Sequence, residues 1–208
     1  MAYIYANAGD GVVTGPSSNN FNTARNATTG TVAFSNATDD VGVTVSAVGR
    51  DTYWQYHRAF FTFDVSGESG TVDSCTFEVE STTNRGGRFV AIFHDAGTGL
   101  GNDDYNNVFT SGTTMEDYSS SVTISSTGYH TFNLNSDGIS ALQSKIGSGD
   151  FEIGLVAYVD FLATRPLASV EETITFSDSL SSPIDKPRIE ITYESGVTYN
   201  APFLGANF

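Results

Sequence analysis

Three separate segments of the chain alternate apolar and polar side chains with a period of two. In Cys75-Thr76-Phe77-Glu78-Val79-Glu80, in Phe151-Glu152-Ile153-Gly154-Leu155-Val156-Ala157 and in Ile189-Glu190-Ile191-Thr192-Tyr193, the odd-numbered positions are apolar. A strand sends successive side chains to opposite faces, so each segment reads as a strand with one face on a core and the other in water. Residues 88–94 are apolar on both faces and read as a central strand. Shorter β-prone pieces fall at 3–6, 31–35 and 41–48, separated by turn-forming residues at 15–20 and 36–40. Only 16 % of residues are charged, and Gly, Ser, Thr and Asn fill the spaces, a profile of many short strands rather than helices.

Residues 135–147 break the alternation. Ile139, Leu142 and Ile146 are spaced by three and four, Asn135 or Ser136 can cap the start, Lys145 suits the negative end, and Gly147 can close the turn. The spacing predicts one short helix covering an end of the sandwich. With about ten strands, the expected fold is all-β: an antiparallel two-sheet jelly-roll sandwich with one short helix. No linker divides the chain. Residues 1–193 read as the sandwich and 194–208 as an apolar tail.

The stretch Thr52-Tyr53-Trp54-Gln55-Tyr56-His57-Arg58-Ala59-Phe60-Phe61-Thr62-Phe63-Asp64-Val65-Ser66 is the densest in aromatic side chains. By alternation Ala59, Phe61 and Phe63 share a face that fits a core. Trp54, Tyr56 and Phe60 line the opposite face. Two readings stay open for that second face: a platform on which flat rings stack against sugars, or a second buried surface under a loop or at a subunit contact.

Twenty-four carboxylates against nine basic residues give a net charge of −15. Such a surface repels nucleic-acid backbones and anionic membranes, so neither is an expected partner. The lone cysteine, Cys75, rules out an internal disulfide framework. The opening MAYIYANAGDG lacks the basic and apolar regions of a signal peptide, and no run approaches a membrane span. Synthesis in a cytoplasm without signal-directed export is therefore expected.

The order of motifs carries a resemblance. Arg58-Ala59-Phe60-Phe61-Thr62-Phe63-Asp64-Val65-Ser66 is followed by Val72-Asp73-Ser74-Cys75-Thr76-Phe77-Glu78-Val79. Later come Asp117-Tyr118, Phe132-Asn133-Leu134-Asn135, Gly138-Ile139 and Pro187-Arg188-Ile189-Glu190-Ile191-Thr192-Tyr193. This series resembles DNRLRE-like, carbohydrate-binding-module-like jelly rolls over about residues 58–193, with Cys75 where that family usually has Ala. Such modules occur in phage virion proteins and secreted bacterial surface proteins. The matching positions are structural, so no binding site carries over.

Taken with the missing export signal, the resemblance implies a bacteriophage virion structural protein made in a host cytoplasm. A capsid decoration (cement) protein or a tail or fibre appendage is expected, assembling as a homo-oligomer, a trimer, against neighbours such as the major capsid protein. The alternative is a carbohydrate-binding module that uses Trp54 and Tyr56 on glycans. The tail carries Tyr199, Phe203, Leu204 and Phe208 and reads either as a docking arm or as an edge strand.

Enzymatic signatures are weak. There is no nucleophile elbow, no phosphate loop and no metal-spaced Cys or His pair. His130 reads as a sheet histidine, and His94-Asp95 at a strand end is a weak clue. No cleft joining acids to an imidazole is expected, and the chain reads as a non-enzyme. Asp103 and Asp104 are the best placed residues for a structural Ca²⁺, in the oxygen-rich loop Gly101-Asn102-Asp103-Asp104.

Overall fold

The computed structural model describes residues 3–7, 10–34, 38–83, 86–95, 99–166, 172–177 and 185–195. The elements run β1 (Tyr3–Tyr5), β2 (Gly11–Thr14), α1 (Phe21–Arg25), β3 (Thr31–Phe34), β4 (Thr38–Val48), β5 (Asp51–Asp64), β6 (Val72–Ser81) and β7 (Gly87–Phe93). After a 3-10 turn (Asn102–Tyr105) come β8 (Phe109–Ser111), β9 (Thr114–Met115), β10 (Val122–Ile124), β11 (Gly128–Asn133), α2 (Ser136–Lys145), β12 (Asp150–Ala157), α3 (Tyr158–Phe161), β13 (Glu172–Ser177) and β14 (Arg188–Tyr193).

The fold is an all-β antiparallel sandwich. In one layer β6 lies between β14 and β11, with Phe77 paired to Ile189 on one side and to Phe132 on the other, and β1 pairs the far side of β14. In the other, β5 pairs β4 over its first half and β12 over its second, β12 pairs β7, and β7 pairs β10. The layers join through β13, which pairs β4 and also meets the end of β6 at Phe176 and Ser81.

β4 passes from β5 to β13 at Gly42, which is the partner of both His57 and Thr173. Its φ of +139° and a Cβ position only 1.9 Å from the Glu172 carbonyl oxygen admit glycine alone. The bend lets one strand serve both layers.

Between the layers the expected core is present. Phe61 and Phe63 reach across to Phe77 at ring-centroid distances of 5.2 and 6.0 Å, and Phe61 meets Phe176 at 5.2 Å. Both β5 phenylalanines are fully buried, worth roughly 1.5–3 kcal/mol each. Cys75 is buried too, and burial pushes its thiol up to about 12, which leaves it unreactive.

The helix read at 135–147 forms as α2. The Asn135 side chain accepts from the N–H groups of Asp137 and Gly138, Lys145 closes the last turn, and Gly147 takes a φ of +74° just beyond it. Two features differ from expectation. Two further short helices, α1 and α3, are present. The strand β2 forms where no strand was placed, and β4 begins at Thr38, inside residues read as a turn, because β13 supplies it with a partner.

The outer face of β5 takes the second of its two readings, a buried surface: it lies under a further layer made of α1, the 3-10 turn, the β8–β9 hairpin and α3. Among the described residues, no helix is long and apolar enough to cross a membrane.

Candidate functional site

Trp54, Tyr56 and Phe60 share a face, as alternation requires, but none is available to a sugar: they are 2, 0 and 2 % exposed. Phe21 of α1 stands edge-on to Trp54 and Tyr56, at 6.5 and 6.1 Å between centroids. His94 lies on Phe60 at 4.1 Å. The stacking-platform reading is thereby corrected. The rings are used to seat the outer layer, so no flat face remains in water.

Beneath that layer sits a buried ionic network that local sequence pattern does not disclose. Arg58, also on this face of β5, donates from Nε and Nη2 to the two Asp160 carboxylate oxygens at 2.8 and 3.0 Å. It also donates to the carbonyls of Tyr105 and Arg25. Its guanidinium lies 4.0 Å from the centre of the Tyr105 ring. Arg25, at the end of α1, bonds the Asp160 backbone carbonyl at 2.8 Å and sits 3.2 Å from its carboxylate.

One carboxylate thus serves two guanidiniums, all nearly inaccessible to water. Burial works against the charge of Arg58, but Asp160, Tyr105 and Tyr56 together outweigh it and hold the group above its ordinary value. For Arg25 burial prevails, Arg58 adds to it, and the group is lowered. The network ties α1, the 3-10 turn and α3 to the sheet. It is spent on packing.

A cavity of about 130 Å³ opens between the end of β7, the start of β12 and the last turns of α2. Its wall includes His94, Asp95, Glu152 and Lys145. This corrects the expectation that acids and an imidazole share no cleft. Ala141 and Ser144, facing it from α2, are too short to fill the space. Burial pushes His94 down to about 3, so the imidazole is neutral at pH 7 and a weak base. The cavity is also smaller than the roughly 300–1,000 Å³ usual for ligand sites.

Asp103 and Asp104 lie in the 3-10 turn. The Asp104 carboxylate accepts from the Gly101 N–H at 2.6 Å and from Asn107 Nδ2 at 2.8 Å, so both oxygens fasten the turn. Among the described residues no three His, Cys, Asp or Glu side chains gather as metal ligands would. Tyr199, Phe203, Leu204 and Phe208 lie outside the described residues.

The exposed chemistry concentrates on the outer face of the layer containing β1, β14, β6 and β11. Tyr3 and Tyr5 are 40 and 37 % exposed. They sit two apart on β1, at the end of the strand order, across from Glu190 and Arg188. Arg188 lies between two rings, 3.9 Å from the centres of both Tyr3 and Tyr129.

Its Nε donates to Glu78 Oε2 at 2.7 Å, and the Tyr129 hydroxyl donates to the Lys186 carbonyl at 3.0 Å. Partial burial opposes the Arg188 charge, but the Glu78 bond and carboxylate together with Tyr129 and Tyr3 outweigh it and raise the group. The result is a patch of tyrosine and arginine in which Arg188 is held by Glu78 and two rings. Tyr and Arg held this way are the side chains that carry energy at protein contacts. Sequence reading found the strands but not the patch, because Tyr5 and Arg188 meet only through the register of β1 on β14.

No family model matches this chain, and no curated protein matches its sequence, so its function is read from the geometry just described.

Proposed function

We propose that the protein is a non-enzymatic structural component of a phage virion surface, a capsid decoration (cement) protein or a tail or fibre appendage, and that it works by adhesion. The observation that carries this reading is the placement of its exposed aromatics. Among the described residues the exposed large aromatics are Tyr3 and Tyr5, side by side on one edge strand and braced by Arg188. The other rings among the described residues are buried or half-buried. A patch like this buries well against another protein surface.

The motif series over residues 58–193, which resembles phage-virion jelly rolls, supports the setting. The partners are further copies of the chain, as a homo-oligomer such as a trimer, and neighbouring virion proteins such as the major capsid protein. The net charge of −15 keeps the remaining surface wet and turns away nucleic acid and anionic membranes. Burial of Trp54, Tyr56 and Phe60 counts against the alternative of a carbohydrate-binding module that stacks sugars on those rings.

The test is occupancy on gradient-purified particles from a host producing the virus, by quantitative mass spectrometry. The wild-type chain is expected in particles, and the Tyr3→Ala, Tyr5→Ala double variant about tenfold depleted, the loss of a modest contact hot spot. Both rings are exposed, so the variant folds. Absence of the wild-type chain from particles, or wild-type occupancy of the variant, overturns the reading. Deletion of residues 196–208 tests the tail as a docking arm in the same assay, with reduced incorporation expected.

A further inference from the structure

The cavity under the last turns of α2 holds a polar group with no part in adhesion. His94 is 5 % exposed, and neither of its ring nitrogens has a hydrogen-bond partner. A neutral imidazole offers one N–H donor and one acceptor nitrogen, and leaving both unanswered in a buried site is costly. His94 lines the cavity of about 130 Å³, so a guest there can reach it. A cavity of about 150 Å³ accommodates benzene, so this space suits a guest of only a few heavy atoms.

The rest of the wall sets the charge of that guest. Phe93, Tyr118 and Phe151 supply its aromatic part. Tyr118 lies nearly parallel to Phe151 at 6.3 Å between centroids and edge-on to Phe93 at 6.2 Å, which holds the three rings as a unit. The faces of such rings attract cations. Two carboxylates, Asp95 and Glu152, share the wall with one cation, Lys145. The charges that act on the Tyr118 hydroxyl are all negative, from Glu116, Asp137 and Asp95, and they add to burial in raising it. Lys145 is exposed and makes no ion pair among the described residues. Burial keeps His94 uncharged at neutral pH, so the imidazole has no positive charge to offer an anion.

We infer that this cavity binds a primary ammonium group on a short alkyl stem. The acceptor nitrogen of His94 takes a hydrogen bond from the ammonium, Asp95 and Glu152 balance its charge, and the three rings enclose the stem. Such a group comes either from a lysine side chain of a neighbouring protein or from a free polyamine. The site is built from other elements than the tyrosine patch, so its success or failure does not decide the adhesion reading.

The full chain is titrated at neutral pH with n-butylamine, n-butanol and butyrate by calorimetry, and the imidazole nitrogens are followed by NMR. The amine is expected to bind and to move the His94 nitrogens, assigned by their loss in His94→Phe. Those of His57, bonded to Thr14 and Thr44, should stay in place. Asp95→Asn should weaken the amine about tenfold or more, as loss of a charged hydrogen bond does. Lys145→Ala removes the one positive charge of the wall and should tighten the amine about twofold or more, the range of an exposed charge pair. Both residues are exposed, so neither variant disturbs the core.

Two further probes separate the sources. Binding of Nα-acetyl-lysine amide assigns the site to a protein's lysine, and binding of spermidine without it assigns the site to a free polyamine. Four results overturn the inference: the amine gives no heat or leaves the His94 nitrogens unmoved, n-butanol or butyrate binds as tightly, Asp95→Asn leaves the affinity unchanged, or Lys145→Ala weakens the amine. Butyrate binding that Lys145→Ala abolishes would make this an anion site instead.

Discussion

The two faces of β5 are buried to the same degree by different physics. On the inner face Phe61 and Phe63 lie against Phe77 and Phe176, ring on ring. On the outer face Trp54, Tyr56 and Phe60 share their burial with Arg58, and the covering layer is made of short pieces held by directional bonds to one carboxylate. The inner face loses free energy gradually if a side chain shrinks. The outer face is all-or-none, since a buried charge without its partner has nowhere to go. It also carries polar atoms that nothing answers: Trp54 Nε1, Tyr56 Oη, Arg25 Nη2 and both His94 nitrogens have no hydrogen-bond partner. The inner layer makes the molecule stable. The outer layer, costlier to bury, makes a defined surface.

The strongest way to break this contrast is Asp160→Ala. The change strips two buried guanidiniums of their shared counter-charge and should cost about 3–5 kcal/mol. Urea unfolding measures it. The loss should be accompanied by exposure of Trp54, because α1 and α3 are no longer tied to the sheet. A loss under about 1 kcal/mol, within the range of an exposed ion pair, would mean that the outer layer is held by its apolar contacts after all.

The next effect comes from acid. His94 is buried and neutral, and its proton binds only near pH 3, while in the unfolded chain it binds near 6.5. Between those values the unfolded chain holds the extra proton, so stability falls as pH is lowered through that window, by about 1.4 kcal/mol per pH unit at most. Asp104 and Glu172, which burial raises, work in the opposite sense. The clean measurement is therefore the difference from His94→Phe, a ring that can keep the contact with Phe60. The variant should lose less stability between pH 6.5 and 4 than the wild-type protein does. Parallel curves would show that His94 takes its proton while folded.

How legible this was in the sequence follows the same division. Alternation placed β6, β12 and β14 and put Phe61 and Phe63 on the inner face, because a strand's two faces repeat locally. The α2 caps at Asn135 and Gly147 are also local signals. The outer layer has none. α1 and α3 span five and four residues, too few for a helical period to register. Asp160 stands 102 positions from Arg58, and Arg25 stands 33, so no spacing announces their meeting. The aromatic density of β5 was visible, but its outer face left both a platform and a buried surface open. Only the tertiary cover decides between them.

The smallest effect tests the contrast most directly. Tyr56 is fully buried on the outer face, and burial pushes its hydroxyl far up, so it stays protonated with no partner. Tyr105, equally buried in the same layer, donates its hydroxyl to the Ala24 carbonyl at 2.8 Å. Removing the two oxygens should therefore move stability in opposite directions. Tyr105→Phe should lose about 0.5–1.5 kcal/mol, the net value of a hydrogen bond. Tyr56→Phe should lose nothing and gain up to about 1 kcal/mol, because it deletes an unanswered group while keeping the ring against Phe21. Paired urea titrations resolve the difference. Equal losses would show that the Tyr56 hydroxyl is bonded in the folded protein, and the outer layer would then be as fully satisfied as the inner one.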